Sequence, residues 1–165
     1  MSQKINGDNN IQAGRDIIIK ESHKINFYEG DLVEVIDVFS EIFPSVCSEV
    51  FDLKRIDIES KNTKNKLSID YFKHMNNEYL PHFNKVDSFL RNKYNAAYLK
   101  RYTDTCSNIN TYMKANRDKV GNFEEFFPIL SASLLDKGKI KSSFNEFLFN
   151  LLFHYMYWNC DIGEK

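Results

Sequence analysis

The stretch that most constrains the fold of this chain is residues 144–158, which is apolar on almost every side. Its apolar residues do not keep to one helical stripe; they are Phe144, Phe147, Leu148, Leu151, Leu152, Tyr155, Met156 and Trp158. A helix with one apolar stripe lies on a surface, whereas a helix that is apolar all round must be enclosed by other elements. Ser143 and Glu146 have the spacing of a capping box and mark its start. The sequence therefore predicts a helix at the centre of the fold, with Trp158 largely buried.

Apolar residues at helical spacing recur before this segment and predict the helices that enclose it. The stripes lie at residues 32–43, 67–79, 83–94, 96–113 and 126–135. Asp31 with Glu34, and Asn122 with Glu125, fit capping boxes at two of the starts. The fourth stripe continues the third, so a long antiparallel helical pair is the simplest arrangement.

The charge balance and the cysteines exclude several classes of function. Lys and Arg number 22 and Asp and Glu 23, which leaves a formal charge of −1 and no overall attraction to nucleic acid or to an anionic membrane. Cys47, Cys106 and Cys160 form no Cys-x-x-Cys pair, so we expect neither a disulfide framework nor a zinc site. No apolar run reaches the roughly 20 residues that a bilayer requires. These features favour a cytoplasmic protein without a cofactor.

The first 30 residues carry a different pattern. Ile5, Ile11 and Ile17 recur at a fixed interval, and turn-forming residues stand between them. Their shared odd parity places them on one face of an extended chain, but strands this short cannot bury that face alone. We therefore expect a mainly α fold: a bundle-like helical interaction domain in residues 31–165, and a short β segment in residues 1–30 that associates between chains.

One alternative function is that of a metal-dependent nuclease. Glu59 and Lys61 form a Glu-x-Lys pattern that, with Asp52 or Asp57, has the residue types to hold magnesium and activate water. Nucleases of this kind hold such residues on adjoining central strands, and no buried strand is predicted beside this segment. We favour a solvated charged connection, in which Glu59→Ala and Lys61→Ala have little effect on stability.

A second alternative is nucleic-acid binding through a basic and aromatic face. The residues that would form it are Lys93, Tyr94, Tyr98, Lys100, Arg101, Tyr102, Tyr112, Lys114, Arg117 and Lys119. Tyrosines at helical spacing usually belong to a core and rows of charge usually face solvent, so we favour a structural role for both. The same reasoning favours a hydrogen-bonded core position for His154 over a catalytic one.

Two stretches resemble known families. Residues 5–17, INGDNNIQAGRDI, are similar to a short N-terminal motif, roughly GDNN-x-Q-x-GRDI, found on bacterial conflict and anti-phage proteins. Residues 153–163, FHYMYWNCDIG, resemble the end of small helical C-terminal domains from bacterial ABC-ATPase three-component defence systems. These resemblances imply a bacterial or prophage defence component that assembles through the first motif and docks protein partners through its helical domain.

The resemblances also imply which residues make these contacts. Those expected to drive self-assembly are Ile5, Asn9, Asn10, Ile11, Gln12, Gly14, Arg15, Asp16 and Ile17. As the alternative to a buried Trp158, the end of the domain is a docking surface, and the residues that would dock a partner are then Tyr157, Trp158 and Asp161. Because no effector domain is recognisable beside them, we expect a non-enzymatic adaptor or sensor subunit.

Deleting residues 1–20 should lower the oligomeric state and leave the helical domain folded, because the isoleucine face and the helical stripes form separate apolar surfaces. Native mass measurement and far-ultraviolet circular dichroism test this. An unchanged mass would refute the assembly role of the segment, and a loss of helicity would show that it belongs to the core of the domain.

Overall fold

The computed structural model describes residues 30–46, 57–116, 122–136 and 138–164, without the side chains of residues 133, 135 and 136. Every regular element in these ranges is helical, which confirms the mainly α class. The predicted β segment lies outside the described residues except for Gly30, which begins the first helix. None of the described helices combines the length and the apolar character that a membrane crossing requires.

The described residues form a bundle of α-helices. They are α1 (Gly30–Ile42), α2 (Ile58–Lys64), α3 (Ile69–Glu78), α4 (Phe83–Arg91), α5 (Ala96–Ala115), α6 (Phe123–Asp136) and α7 (Ser143–Trp158). Short 3-10 helices, Leu80–His82 and Lys93–Asn95, come directly before α4 and α5. Helices α5 and α7 each pack against both α1 and α4, so these four helices form the body of the bundle.

Helix α7 lies at the centre, as its sequence predicts. Every residue from 151 to 158 is buried, including the side chains that would face solvent on an ordinary surface helix. Phe83 of α4 meets the ring of Tyr155 edge-on, with 5.5 Å between centroids. On another side Phe127 of α6 lies 4.6 Å from the ring of Phe153. Since each large apolar side chain contributes about 1.5–3 kcal/mol when fully buried, this helix supplies a large part of the driving force for folding.

Side-chain caps fix the starts of the last two helices. Asn122 accepts from the amide of Glu125 at 2.7 Å, and its own amide donates to the Glu125 carboxylate at 3.2 Å, so the predicted pairing is confirmed. Helix α7 is capped one residue earlier than predicted. Ser142, not Ser143, accepts from the amide of Asn145 at 3.0 Å.

The predicted capping box at Asp31 is wrong, because Asp31 already lies within the first turn of α1. Its carboxylate instead accepts from Arg101 of α5 at 2.8 Å. The other terminal nitrogen of Arg101 lies 2.8 Å from Glu34, one turn along α1. The two acidic residues thus hold one guanidinium between two helices, which is the forked geometry that arginine favours.

The stripes of residues 83–94 and 96–113 do not form one continuous helix. The backbone is extended at Asn92, with φ −64° and ψ 122°, which ends α4. The Asn92 side chain accepts from the amide of Tyr94 at 3.0 Å and starts a new turn. Asn95 then donates 2.9 Å to the carbonyl of Phe89. Asparagine side chains compete well with helical hydrogen bonds, so these two residues break an apolar pattern that would otherwise continue.

The buried histidine of α7 is held by hydrogen bonds on both ring nitrogens, which confirms the predicted core role of His154. Its Nδ1 lies 2.6 Å from the carbonyl of Asn150, and its Nε2 lies 2.9 Å from the Tyr71 hydroxyl of α3. The ring also stacks on Tyr79, with centroids 4.5 Å apart. Burial lowers the pKa of His154 from 6.5 to about 4, so the ring is neutral at pH 7.

Trp158→Ala should lower the free energy of unfolding by about 3–5 kcal/mol, the usual cost of removing a buried ring. Trp158 is 8% exposed and stacks on Phe72 with centroids 6.0 Å apart. Urea denaturation measures the change. Tyr94→Ala is the matched control, because Tyr94 is 82% exposed and its truncation should change stability by about 0.5 kcal/mol or less. Equal losses in the two variants would contradict the packing described for α7.

Stability should also fall as the pH is lowered from 6.5 towards 4, because unfolded His154 takes up a proton that the folded protein excludes. The slope contributed by this residue should approach about 1.4 kcal/mol per pH unit in that window and vanish above it. Urea midpoints of wild type and His154→Gln between pH 7.5 and 5 measure the difference in slope. Equal slopes in the two proteins would contradict the buried, neutral state of the His154 ring.

Candidate functional site

After α7 the chain folds back on the domain over residues 159–164, which we call the closing segment. The amide of Asn159 donates to the carbonyl of Tyr155 at 2.8 Å, and that of Asp161 to the carbonyl of Met156 at 2.9 Å. Cys160 lies between them in the left-handed region, with φ 61°. That conformation is unfavourable for a residue with a side chain, and here it reverses the direction of the chain.

Two asparagine side chains hold the backbone of the closing segment from different helices. Asn65, at the end of α2, donates to the carbonyl of Glu164 at 2.9 Å and accepts from the amide of Glu164 at 2.8 Å. Asn110 of α5 donates to the carbonyl of Asp161 at 2.7 Å and accepts from the amide of Gly163 at 3.1 Å. A carboxamide offers one acceptor and two donors, so each asparagine pairs with the peptide backbone as a neighbouring strand would.

Lys61 of α2 completes this arrangement from inside the protein. It is 2% exposed, and its ammonium donates to the carbonyls of Tyr157 and Ile162, the latter at 2.7 Å. The same nitrogen lies 4.2 Å from the centroid of the Tyr157 ring, within the range of a cation–π contact. The expectation of a solvated connection at Lys61 is therefore wrong. We call Lys61, Asn65 and Asn110 the clamp.

Two residues of the closing segment suit their positions by their size. Ile162 is completely buried and joins the apolar core. Gly163 has φ 85°, and a Cβ built at this position would lie 2.9 Å from the Oδ1 of Asn65. A residue larger than glycine would thus be strained in its backbone and would also crowd the asparagine. The clamp therefore accommodates an isoleucine followed by a glycine.

The three residues implicated in partner docking lie within this arrangement. Tyr157 is fully buried and donates to Asn62 of α2 at 2.9 Å, and Trp158 is also buried. Asp161 accepts from the hydroxyl of Tyr102 at 2.6 Å. Burial is the main reason that the pKa of Tyr102 lies well above its usual value, so the hydroxyl keeps the proton that it donates. The rings of Tyr157 and Trp158 are thus enclosed in this fold, as the alternative of a buried Trp158 expects, and docking through these three residues stays a prediction.

The nuclease pattern does not assemble in the described residues. Glu59 and Lys61 lie on α2, not on a buried strand, and residues two apart on a helix do not face each other. Glu59 is exposed while Lys61 points into the core. Asp52 lies outside the described residues. Between residues 30 and 164, in the described ranges, no three His, Cys, Asp or Glu side chains cluster as metal ligands do.

The predicted basic and aromatic face is divided among different environments. Tyr102 is buried, and Arg101 is bound by the two acidic residues of α1. Lys100 pairs with Asp104 one turn away at 2.6 Å, whereas Tyr94 is exposed. Arg117 and Lys119 lie outside the described residues. The described members therefore do not form one continuous basic surface.

Sequence reasoning missed the clamp because its residues leave no apolar pattern. Lys61 and Asn65 are four residues apart on a polar helix, so they share one face, but that spacing usually describes a solvated surface. Asn110 stands in the apolar stripe of α5 and could have been noticed as a polar interruption. The self-assembly residues between 5 and 17 lie outside the described part, so their role stays a prediction.

What this site can do chemically is bind peptide backbone. The clamp offers amide donors, amide acceptors and an ammonium, all directed at main-chain groups. Two thiols lie near it. Cys106 is buried, and burial raises its pKa to about 12, so it is protonated at neutral pH, whereas Cys160 belongs to the closing segment and is partly exposed. The arrangement can therefore hold a peptide backbone in place.

Comparison with known proteins places most of the chain in one family. Residues 21–163 match the family model described as C-terminal domain 12 of the ABC-three component (ABC-3C) systems. No curated protein and no solved structure matches the chain. The match ends within the closing segment, and it starts after the residues of the N-terminal repeat.

Lys61→Met should lower the free energy of unfolding by about 1–3 kcal/mol, because the buried carbonyl of Ile162 loses its ammonium donor. Methionine keeps most of the side-chain volume, so a loss reports on the hydrogen bonds and not on a cavity. Urea denaturation at pH 7 measures it. Lys73→Met, on the exposed face of α3, is the control and should be nearly neutral. A neutral Lys61→Met would revive the expectation of a solvated, replaceable lysine.

Proposed function

This chain belongs to the family of C-terminal domain 12 of the ABC-three component systems, and we propose from that membership that it is a non-enzymatic adaptor or sensor subunit of a bacterial defence system. The observation that carries the proposal is the match itself, which spans residues 21–163 and so includes every described helix. A system of three components works through contacts between its proteins. The helical domain is the part that makes those contacts.

We also propose that copies of the chain associate through its first residues. The isoleucine repeat between residues 5 and 17 precedes the matched region, so it belongs to a segment that the family model does not include. Such a segment can be exchanged between proteins without disturbing the domain behind it. We assign it the task of bringing copies of the chain together, which would present several helical domains at once and strengthen weak contacts with a partner.

Docking, in this proposal, uses the exposed surface of the helical domain. The large apolar side chains that remain exposed in the described residues are Ile69, Tyr94, Leu99 and Phe144. Phe144 also lies within 5.8 Å of the ring of Phe43, measured between centroids. Aromatic residues are enriched at contacts between proteins. Side chains such as these therefore join Tyr157, Trp158 and Asp161 as the residues proposed for docking.

The non-enzymatic part of the proposal is supported by the use that the fold makes of its reactive groups. Lys61 donates to main-chain carbonyls, and His154 is bonded through both ring nitrogens. A catalytic lysine or histidine needs access to substrate. Both of these groups are enclosed and have structural partners.

Co-expression with the other two components of the corresponding three-component system tests the proposal. We expect this chain to elute with them as one complex on size-exclusion chromatography, with a defined mass by light scattering. Deleting residues 1–20 should reduce the number of copies of this chain in the complex and keep the partner proteins bound.

Phage plating on cells that carry the whole system, with and without this chain, measures its biological contribution. Protection should need the chain and should survive His154→Gln, which removes the most enzyme-like side chain. A chain that elutes alone in the presence of both other components would contradict the adaptor role. Loss of protection with an intact His154→Gln complex would contradict the non-enzymatic one.

A further inference from the structure

The contact between the clamp and the closing segment has the character of a peptide bound to a receptor. All four groups of the closing segment that the two asparagines bind are main-chain groups, namely the carbonyls of Asp161 and Glu164 and the amides of Gly163 and Glu164. Lys61 binds a fifth, the carbonyl of Ile162. Main-chain amides and carbonyls usually pair with each other in helices or sheets, but here they pair with side chains from α2 and α5.

On the receptor side, Asn65 is also held by contacts outside the closing segment. Asn65 is only 6% exposed. Its backbone amide donates to the carbonyl of Lys61 at 3.0 Å, and its backbone carbonyl accepts from the amide of Phe123 of α6 at 3.2 Å. Its side-chain nitrogen also donates to the carbonyl of Lys61 at 2.9 Å. These bonds orient the carboxamide before the closing segment binds, and a preorganised site binds more tightly than a flexible one.

The ligand side is short and partly solvated. Ile162 is its one completely buried residue, whereas Asp161 and Gly163 are partly exposed and Glu164 is exposed. Its entry from α7 passes through the left-handed Cys160, which opposes the bound conformation. Segments with few buried apolar contacts open at a lower free energy than the core does. The closing segment can therefore leave the clamp while α7 stays folded.

We propose that the clamp is a peptide-binding site for a turn-forming Ile-Gly segment, and that residues 159–164 are its ligand within the same chain. Lys61, Asn65 and Asn110 recognise the backbone, the core cavity filled by Ile162 selects the isoleucine, and Asn65 enforces the glycine. Release of the closing segment would uncover this site. The inference rests on the geometry of the clamp and is independent of the proposed function.

Hydrogen exchange of the full-length protein tests the first half of the proposal. The amides of residues 161–164 should exchange at least about tenfold faster than those of residues 151–155 of α7. In Gly163→Ala the closing segment should exchange about tenfold faster again, since alanine is disfavoured at this φ and crowds Asn65, while α7 is unchanged. Closing-segment amides that exchange only with global unfolding, or that ignore Gly163→Ala, would overturn the proposal.

Peptide binding to the full-length Gly163→Ala variant tests the second half. The probe is a labelled synthetic peptide of residues 159–165 under reducing conditions, followed by fluorescence anisotropy and by protection of the added amides. It should bind Gly163→Ala at least tenfold more tightly than wild type. In wild type the closing segment of the same chain competes with the peptide at a high effective concentration. A peptide with aspartate in place of Ile162 is the matched control and should not bind.

The clamp itself is tested by adding Asn110→Ala to the Gly163→Ala protein, which should weaken peptide binding about tenfold or more because two backbone contacts are lost. Circular dichroism checks that both proteins are folded. A loosened closing segment with no binding of the peptide up to millimolar concentration would overturn the proposal, because the clamp would then be part of the core and not a receptor. Equal binding of both peptides would overturn it too.

Discussion

A helix that is apolar on every side is stable in water only when other helices cover all of it, and α7 imposes this requirement on the whole domain. Helices α1 and α4 pack along its body, Tyr102 of α5 contacts Tyr155, and α6 contributes rings that pack on Phe153. The polar atoms on α7 must then find partners inside the fold. Tyr155 donates to Asp87, Tyr157 to Asn62, and His154 bonds to Tyr71, each on a different neighbouring helix. These directional hydrogen bonds fix the orientation of α2, α3 and α4 relative to α7.

Through the clamp, polar groups at and beyond the end of α7 also find hydrogen-bond partners inside the fold. The last carbonyls of a helix have no partner within the helix, and here one of them, that of Tyr157, accepts from Lys61. The ammonium also binds the carbonyl of Ile162, so a single buried cation joins the end of the central helix to the segment that follows it. Burying an ammonium is costly unless it is hydrogen-bonded. The fold meets that condition with main-chain oxygens.

The sequence predicts the parts of this fold that depend on apolar periodicity and fails where polar residues act over long range. The burial of α7, the position of Trp158 and the cap at Asn122 follow from local pattern. Lys61 looks solvated because its partners lie far along the chain and are carbonyls, which every residue has. The break at Asn92 is likewise invisible to periodicity, since the apolar spacing continues on both sides of it. Sequence therefore identifies the core and misses the polar contacts that lock it.

The pairing of Arg101 with Asp31 and Glu34 determines more than the distance between two helices. Its two acceptors stand on successive turns of α1, so the guanidinium resists rotation of that helix about its own axis as well as its displacement. Gly30, where α1 begins, is thereby held in one orientation relative to α5. Because these charged side chains are partly exposed, raising the salt concentration would weaken the ion pair and leave the buried apolar residues of α1 to hold its orientation.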